Sequence, residues 1–321
     1  MVPLFMNNKC LSNFTEFLLL GFSDFHFKHQ VSIFMFFCSA YVFTLLGNVL
    51  VIVTVTSDSR LHTPMYFFLR NLSFIELCFI TVTVPKAMHI FMSEMKSISL
   101  IGCAFQMLAF VSLGGTECLF LAVMAFDRYV AICNPLRYTS VMSHKTCFYL
   151  TSGSWVVGCF VSFGLTSSTF SVACCNSNHI LHFFCDITPV LNLACVNTFN
   201  NELFVFIVCT LVVVIPFLAI LCSYMNILYS IGLIHSAQGR HKAFSTCGSH
   251  LVSVILFYGT AMIIHFRMRS QGSAGNDRMI APVFCILIPA INPLIYSLRN
   301  KDVKQSVRKL LHDINADSNT R

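Results

Sequence analysis

The sequence predicts an all-α membrane protein, a bundle of seven membrane-crossing helices followed by a short amphipathic helix. Three observations carry this. Hydrophobic residues make up 56% of the 321 residues and charged residues only 10%, against about 25% charged in an average soluble domain. So few charges cannot cover a soluble surface of this size, and the surplus apolar area must face lipid. Seven apolar runs then recur along the chain, each near or above the ~20 residues that a helix needs to cross the hydrocarbon core.

In chain order, residues 1–30 are mixed and polar, and form an expected extracellular N-terminus. They lack a basic start, a short apolar core and a small-residue cleavage site, so the first span is expected to act as an uncleaved anchor. The bundle is expected over 31–298, with spans near 31–56, 65–91, 100–126, 146–170, 199–229, 246–266 and 279–298. Pro85, Pro216, Pro282, Pro289 and Pro293 fall inside them. In a packed bundle prolines kink helices without breaking them, because neighbours satisfy the freed carbonyls. Residues 299–321 form an expected cytoplasmic tail. There Val303, Val307, Leu310 and Leu311 share one helical face and Lys301, Lys304, Arg308 and Lys309 flank it, a pattern for a helix on anionic inner-leaflet lipid.

Charge sets the orientation. With the N-terminus outside, thirteen of the 20 Lys and Arg fall on the inner side and seven on the outer. This bias puts the C-terminus in the cytoplasm of a multi-pass membrane protein. Asn13 opens an Asn-Phe-Thr glycosylation acceptor on the outer side, which agrees. The net charge of +7 is spread in short clusters between apolar runs, so nucleic acid is excluded as a partner. No pair of C-x-x-C motifs is present for structural zinc. A Ser or Cys nucleophile beside a base, and an H-E-x-x-H helix, are also absent, so no enzyme is expected. A transporter or channel, the alternative reading, would need related halves, broken helices or rings of charge along a pore. None is visible.

Ionisable residues inside apolar spans are functional candidates. Glu117 and Arg128 are eleven residues apart, about three helical turns, and share a face with Phe110, Gly114, Leu121 and Met124. A stripe holding a carboxylate must face the bundle interior. Asn48, Glu76, Asn292 and Tyr296 lie in the first, second and seventh spans and, with Glu117, are expected to form one buried polar network.

These residues carry a resemblance. "GN" at 47–48, "LHTPMYFFL" at 61–69, "GGTEC" at 114–118, "MAFDRYVAICNPLRY" at 124–138, "SY" at 223–224, "KAFSTCGSHL" at 242–251, "FYGT" at 257–260 and "NPLIYSLRNKDVK" at 292–304 closely resemble the vertebrate olfactory receptors, rhodopsin-like G-protein-coupled receptors. The resemblance covers nearly the whole chain. Phe126, Asn134, Gly248 and Glu76 depart from the usual Tyr, His, Ser and Asp.

The resemblance implies a plasma-membrane receptor for a small, mostly hydrophobic volatile odorant, acting through a heterotrimeric stimulatory (olfactory-type) G protein to raise cyclic AMP. It implies that Asp127 holds Arg128 at rest and that Arg128, with Tyr129, Tyr224, Lys242, Asn292, Pro293 and Tyr296, serves activation and coupling. It implies disulfides Cys103–Cys185 and Cys175–Cys195, leaving Cys174 over. With Cys185 in a disulfide, His182 and Asp186 are too few to hold a metal tightly. The implied ligand cavity lies among helices three, five and six, under the long outer loop, with Phe110, Val111, Gly114, Gly115, Cys209, Val212, Tyr258, Met262 and His265 as its expected lining. No cofactor is expected beyond a sodium ion at Glu76 and Glu117 supported by Asn48 and Asn292, the alternative being a shared proton.

Overall fold

The structure, a computed structural model, describes residues 15–23, 25–93, 96–172, 178–194, 197–267, 281–299 and 303–310. Among them the long helices are α1 (Phe27–Ser57), α2 (Pro64–Met92), α3 (Leu100–Cys133), α4 (His144–Phe170), α5 (Phe199–Gly232), α6 (Ala237–Arg267) and α7 (281–299). A short helix, α8, covers 303–310. The first six are long and apolar enough to cross a membrane, and α7 is apolar over Phe284–Tyr296. Rows of large apolar side chains, such as Met35, Val42 and Leu46 on α1 and Leu211, Ile215 and Met225 on α5, face outward. Such continuous apolar surface requires lipid rather than water.

Several helices overrun their expected spans. α3 continues seven residues past residue 126, to Cys133, which places Asp127 and Arg128 inside a helix rather than at its end. α6 starts at Ala237, because nothing helix-breaking separates its polar first turns from the apolar run.

Glycine and proline decide how closely the helices meet. A Cβ at Gly47 would lie 3.1 Å from the Pro293 ring, so glycine lets α1 and α7 touch here. Pro293 has no N–H, which leaves the Pro289 carbonyl without its usual donor. Asn48 Nδ2 on α1 donates to that carbonyl at 3.3 Å. The same logic applies one turn earlier. Pro289 removes the N–H that Cys285 would accept, and the chain widens into a π-turn over Val283–Leu287. On the opposite side of the bundle α3 and α4 pack in van der Waals contact. Ser162 Oγ donates to Leu108 O at 2.5 Å. A Cβ at Gly158 would come within 2.8 Å of the Ser112 carbonyl.

One end of the bundle carries a small three-stranded sheet. Its central strand is β1 (Glu16–Leu19). β2 (Ser97–Ser99) pairs antiparallel on one side and β3 (His179–Ile180) parallel on the other. An N-terminal segment is thereby stitched between two connectors. Phe22 stacks on Phe91 and Phe183 at 6.0 and 5.9 Å between centroids. A Cys103–Cys185 disulfide ties the start of α3 to the segment after β3. Cys174, Cys175, Cys195 and Asn13 lie outside the described residues.

At the far end, Ser306 Oγ of α8 donates to Asp58 Oδ2 at 2.6 Å, and Asp58 also accepts from the Arg60 guanidinium. These partners, Arg60 foremost, hold the Asp58 carboxyl below the usual carboxylate range. Val303 is fully buried against the bundle, while Lys304, Arg308 and Lys309 are exposed. The apolar face of α8 is therefore covered in part by protein. Lys301 and Leu311 lie outside the described residues.

The α3–α4 contact makes a direct expectation. Gly158→Ala forces a methyl against backbone and should destabilise the fold by about 1–3 kcal/mol. Gly153→Ala, on the same helix with open space around its Cβ, should not. Thermal melting of the two purified variants distinguishes them, and equal melting points would refute the packing argument.

Candidate functional site

Beneath the sheet end lies a cavity of about 360 Å³. Its floor and one wall come from α3, where Phe110, Val111, Gly114 and Gly115 line it, as do Cys209 and Val212 of α5. The two glycines remove side-chain volume where the helix faces the space. A Cβ at Gly114 would sit 3.8 Å from the Phe79 ring, at ordinary contact. Phe110 packs against Phe79 and Phe184 with centroids 5.0 and 4.6 Å apart. The segment after β3 forms the roof. Leu181, Phe184 and the short helix Ile187–Leu191 cover the cavity, with His179, Asp186, Thr188 and Asn192 as its polar fringe. Asp186 caps that short helix, accepting from Ile187 N–H at 2.8 Å. α7 contributes Ala281, Phe284 and Cys285.

The α6 wall differs from the expected one by one residue. Phe257, Ala261 and Ile264 line the cavity, and Tyr258 and Met262 do not. Both triplets keep the same helical spacing, so periodicity alone cannot choose between them. The side chain decides. Tyr258 turns into the bundle, where burying a hydroxyl requires a partner, and its O–H donates to Cys118 O on α3 at 2.8 Å. His265 lies on α6 with its side chain outside the described set.

Two helical turns further from the sheet, a second α6 side chain makes the same kind of bond. His250 is fully buried. One ring nitrogen, Nε2, lies 3.1 Å from Leu121 O and the other, Nδ1, 2.7 Å from Tyr224 Oη on α5. A carbonyl only accepts, so in the neutral ring Nε2 carries the proton and Nδ1 accepts from the tyrosine. α6 is thus bonded to backbone carbonyls of α3 at two levels. Ser249 adds a third bond, donating to Ile295 O of α7 at 3.3 Å. Sequence reasoning points to Tyr224 and misses His250. The available signal is its position in "GSHL", eight residues before Tyr258 and so near the same face of α6.

In the middle of the bundle Asn48, Glu76, Glu117, Asn292 and Tyr296 are all buried, and a direct bond joins two of them. Asn292 Nδ2 donates to Glu76 Oε1 at 2.5 Å. Glu76 and Glu117 are both fully buried and close enough to repel when charged. Tyr296 is buried beside them. Asn48 Oδ1, Glu117 Oε1 and Asn292 Oδ1 have no hydrogen-bond partner among the described residues.

Near the far end of α3, Arg128 is 7% and Asp127 1% exposed. Arg128 Nε donates to Asp127 Oδ2 at 2.9 Å, and a second guanidinium nitrogen closes on the same oxygen. The other carboxylate oxygen, Oδ1, accepts from Tyr138 Oη at 2.8 Å. Tyr138 stands in the connector between α3 and α4, and sequence reasoning gives it no role although it ends the "CNPLRY" stretch. Tyr129 follows on α3, and Pro293 has its place in the α1–α7 contact. Lys242 lies in the first turns of α6, its side chain outside the described set.

His182 sits in the roof, outside the spans. Its ring stacks on Phe183 at 4.7 Å and is buried. Among the described residues no group of three or more His, Cys, Asp or Glu is placed to hold a metal.

A family profile described as olfactory receptor matches residues 37–314. Olfactory receptor 9S13 of Mus musculus is 47% identical over 294 residues, 92% of this chain and 88% of that protein. Olfactory receptor 10AG1 of Homo sapiens is 45% identical over 296 residues, covering 92% of this chain and 98% of its own length.

Burial pushes the His182 ring down to about 4 from its ordinary 6.5. The fold accommodates the neutral ring and disfavours the charged one, so this contribution is complete above the ordinary value and lost as pH falls through it toward 4. Acidification from about pH 7.5 to 4.5 should cost about 2–3 kcal/mol through this residue. Thermal melts should therefore fall more steeply with acid in the wild type than in His182→Phe. Parallel curves would remove the ring as the source.

Proposed function

The chain belongs to the olfactory receptor family, and we propose that it detects a small, mostly hydrophobic volatile molecule in the cavity under the roof. It is a multi-pass membrane receptor of the G-protein-coupled type, and not an enzyme. The observation that carries the ligand class is the lining itself. A space of about 360 Å³ walled by Phe110, Val111, Val212, Phe257 and Phe284, with only a fringe of polar groups, lies at the small end of ligand cavities. Burial of apolar ligand surface would supply most of the affinity.

The signalling partner in this reading is a stimulatory, olfactory-type heterotrimeric G protein that raises cyclic AMP, met at the far end of the bundle, in the cytoplasm. The N-terminus and sheet are extracellular, as the Lys and Arg bias indicates. The packing described above is the resting one. Arg128 is engaged by Asp127, and α6 is bonded to α3 through Tyr258 and His250. A ligand that pushes on Phe257, Ala261 or Ile264 works against those bonds, and it shifts the balance only by its difference in affinity for the two packings. A screen of small volatiles against cells expressing the chain with such a G protein tests the reading. Cyclic AMP should rise in a saturable, ligand-specific way, and silence across a broad panel at good surface expression would count against it.

The central polar cluster fits a small monovalent cation. Its donors are oxygens, and three of them are buried without a protein partner among the described residues. Glu76, Glu117, Asn48 and Asn292 would hold a sodium ion that supplies positive charge between two carboxylates; a shared proton is the competing solution. Calcium would want more oxygen ligands.

Two outcomes follow from these assignments. Arg128→Ala should reach the surface yet lose the cyclic AMP response, because the group that meets the G protein is gone; a full response at matched expression would refute its role. Glu76→Gln and Glu117→Gln should each alter basal activity or agonist potency, and the double variant should be non-additive by about 0.5–3 kcal/mol. Strict additivity would show that the two carboxylates act separately.

A further inference from the structure

At the end opposite the sheet, a second cavity of about 220 Å³ opens between the last turn of α1, the first turns of α2 and the first turn of α4. Val55, Leu61 and Phe67 form apolar walls, His62 and His144 stand at the rim, and Arg70 lines it from two turns inside α2. Arg70 is half-buried, with its guanidinium carbon 5.6 Å from the Phe67 ring centroid. Among the described residues no carboxylate forms an ion pair with it. Asp58, on the same connector, is already engaged by Arg60 and Ser306.

A guanidinium keeps its charge under all ordinary conditions. Placed beside hydrocarbon, it needs an anion or a path to water. The aromatic contact covers one face of the guanidinium plane and leaves its N–H edge for an acceptor. The surroundings reinforce the sign. Thr63 caps α2 without a side-chain hydrogen bond, so the positive end of that helix is not neutralised locally. The site is therefore apolar in its walls and positive at one end, and its complement is an amphiphile with an anionic head.

We propose that this groove holds an anionic phospholipid, its phosphate at Arg70 and the start of α2 and its glycerol and upper acyl chain against Val55, Leu61 and Phe67. A free phosphate would gain nothing from the apolar walls, which is why a lipid is the occupant. The assignment of that lipid to the cytoplasmic leaflet rests on the orientation proposed above; the site itself does not.

Native mass spectrometry of the full-length chain in detergent, with phosphatidylserine, phosphatidylcholine or inorganic phosphate added, provides the test. The wild type should retain phosphatidylserine about fivefold better than phosphatidylcholine, the effect of about one basic contact. Arg70→Gln should lose that preference and Arg70→Lys should keep most of it. His144→Glu, at an exposed rim position, should weaken the preference without disturbing the core. An unchanged preference in Arg70→Gln, or displacement of the lipid by inorganic phosphate, would overturn the proposal. The readout is lipid retention, so the result stands whether or not an odorant is found.

Discussion

Inside an apolar bundle a buried polar group is costly unless it finds a partner, and here many of those partners are other groups of the protein. That constraint organises this structure more than any single apolar contact. The Pro289 carbonyl, freed by Pro293, is met by Asn48. Hydroxyls and rings turned inward are spent on specific carbonyls, as Tyr258 and His250 are on α3. Apolar packing tolerates many arrangements of seven helices. A side-chain donor aimed at one backbone carbonyl tolerates few, and so fixes how the helices are rotated and where they sit along one another.

The same bonds make a second arrangement accessible. A hydrogen bond contributes only about 0.5–1.5 kcal/mol net, while leaving its groups buried and unpaired costs more. α6 is therefore held by a few discrete bonds, and it cannot drift gradually away from them. Either they persist, or α6 finds different partners or admits water. In the proposed reading such an element has two packings, and a ligand biases it only by its difference in affinity for them. The Asp127–Arg128 pair obeys the same rule at the far end of α3, where Tyr138 saturates the remaining carboxylate oxygen.

Much of this is legible in the sequence, for reasons that differ by feature. The spans are legible because the bilayer fixes a length that composition must match. The inward face of α3 is legible because Glu117 and Arg128 cannot face lipid. The α6 lining is not. The register Phe257, Ala261, Ile264 and the register Tyr258, Met262, His265 have the same spacing, and in this stretch of α6 no charged residue marks the outside. The polar tips of Tyr258 and His265 favour the second register on sequence grounds, because a ligand site wants a few polar contacts. The Tyr258 hydroxyl goes instead to a carbonyl of α3. The roof is legible as an outer loop tethered at Cys185, but which of its residues reach the cavity depends on that disulfide and on the pairing of β3 with β1. His250 and Tyr138 escape notice because a polar residue next to a known motif is absorbed into it and not asked for its own partner.

Reading α3 from one end to the other separates three tasks on one rigid rod. Gly114 and Gly115 give up volume to the cavity. Cys118 and Leu121, within the next two turns, offer their carbonyls to α6. Arg128 lies fourteen residues from Gly114, about 21 Å along the axis. α3 is packed against α4 through Gly158 and Ser162 and tethered at its start by Cys103. In the proposed reading a ligand works by displacing α6 against α3. Phe257 lines the cavity and its chain neighbour Tyr258 bonds to α3, so on that helix the cavity wall and the α3 contact are one residue apart. No long path of coupled side chains is needed between them. A displacement of α6 large enough to relieve a ligand crowding Phe257 is, by the geometry of a single helical residue, also a displacement that strains the Tyr258 bond.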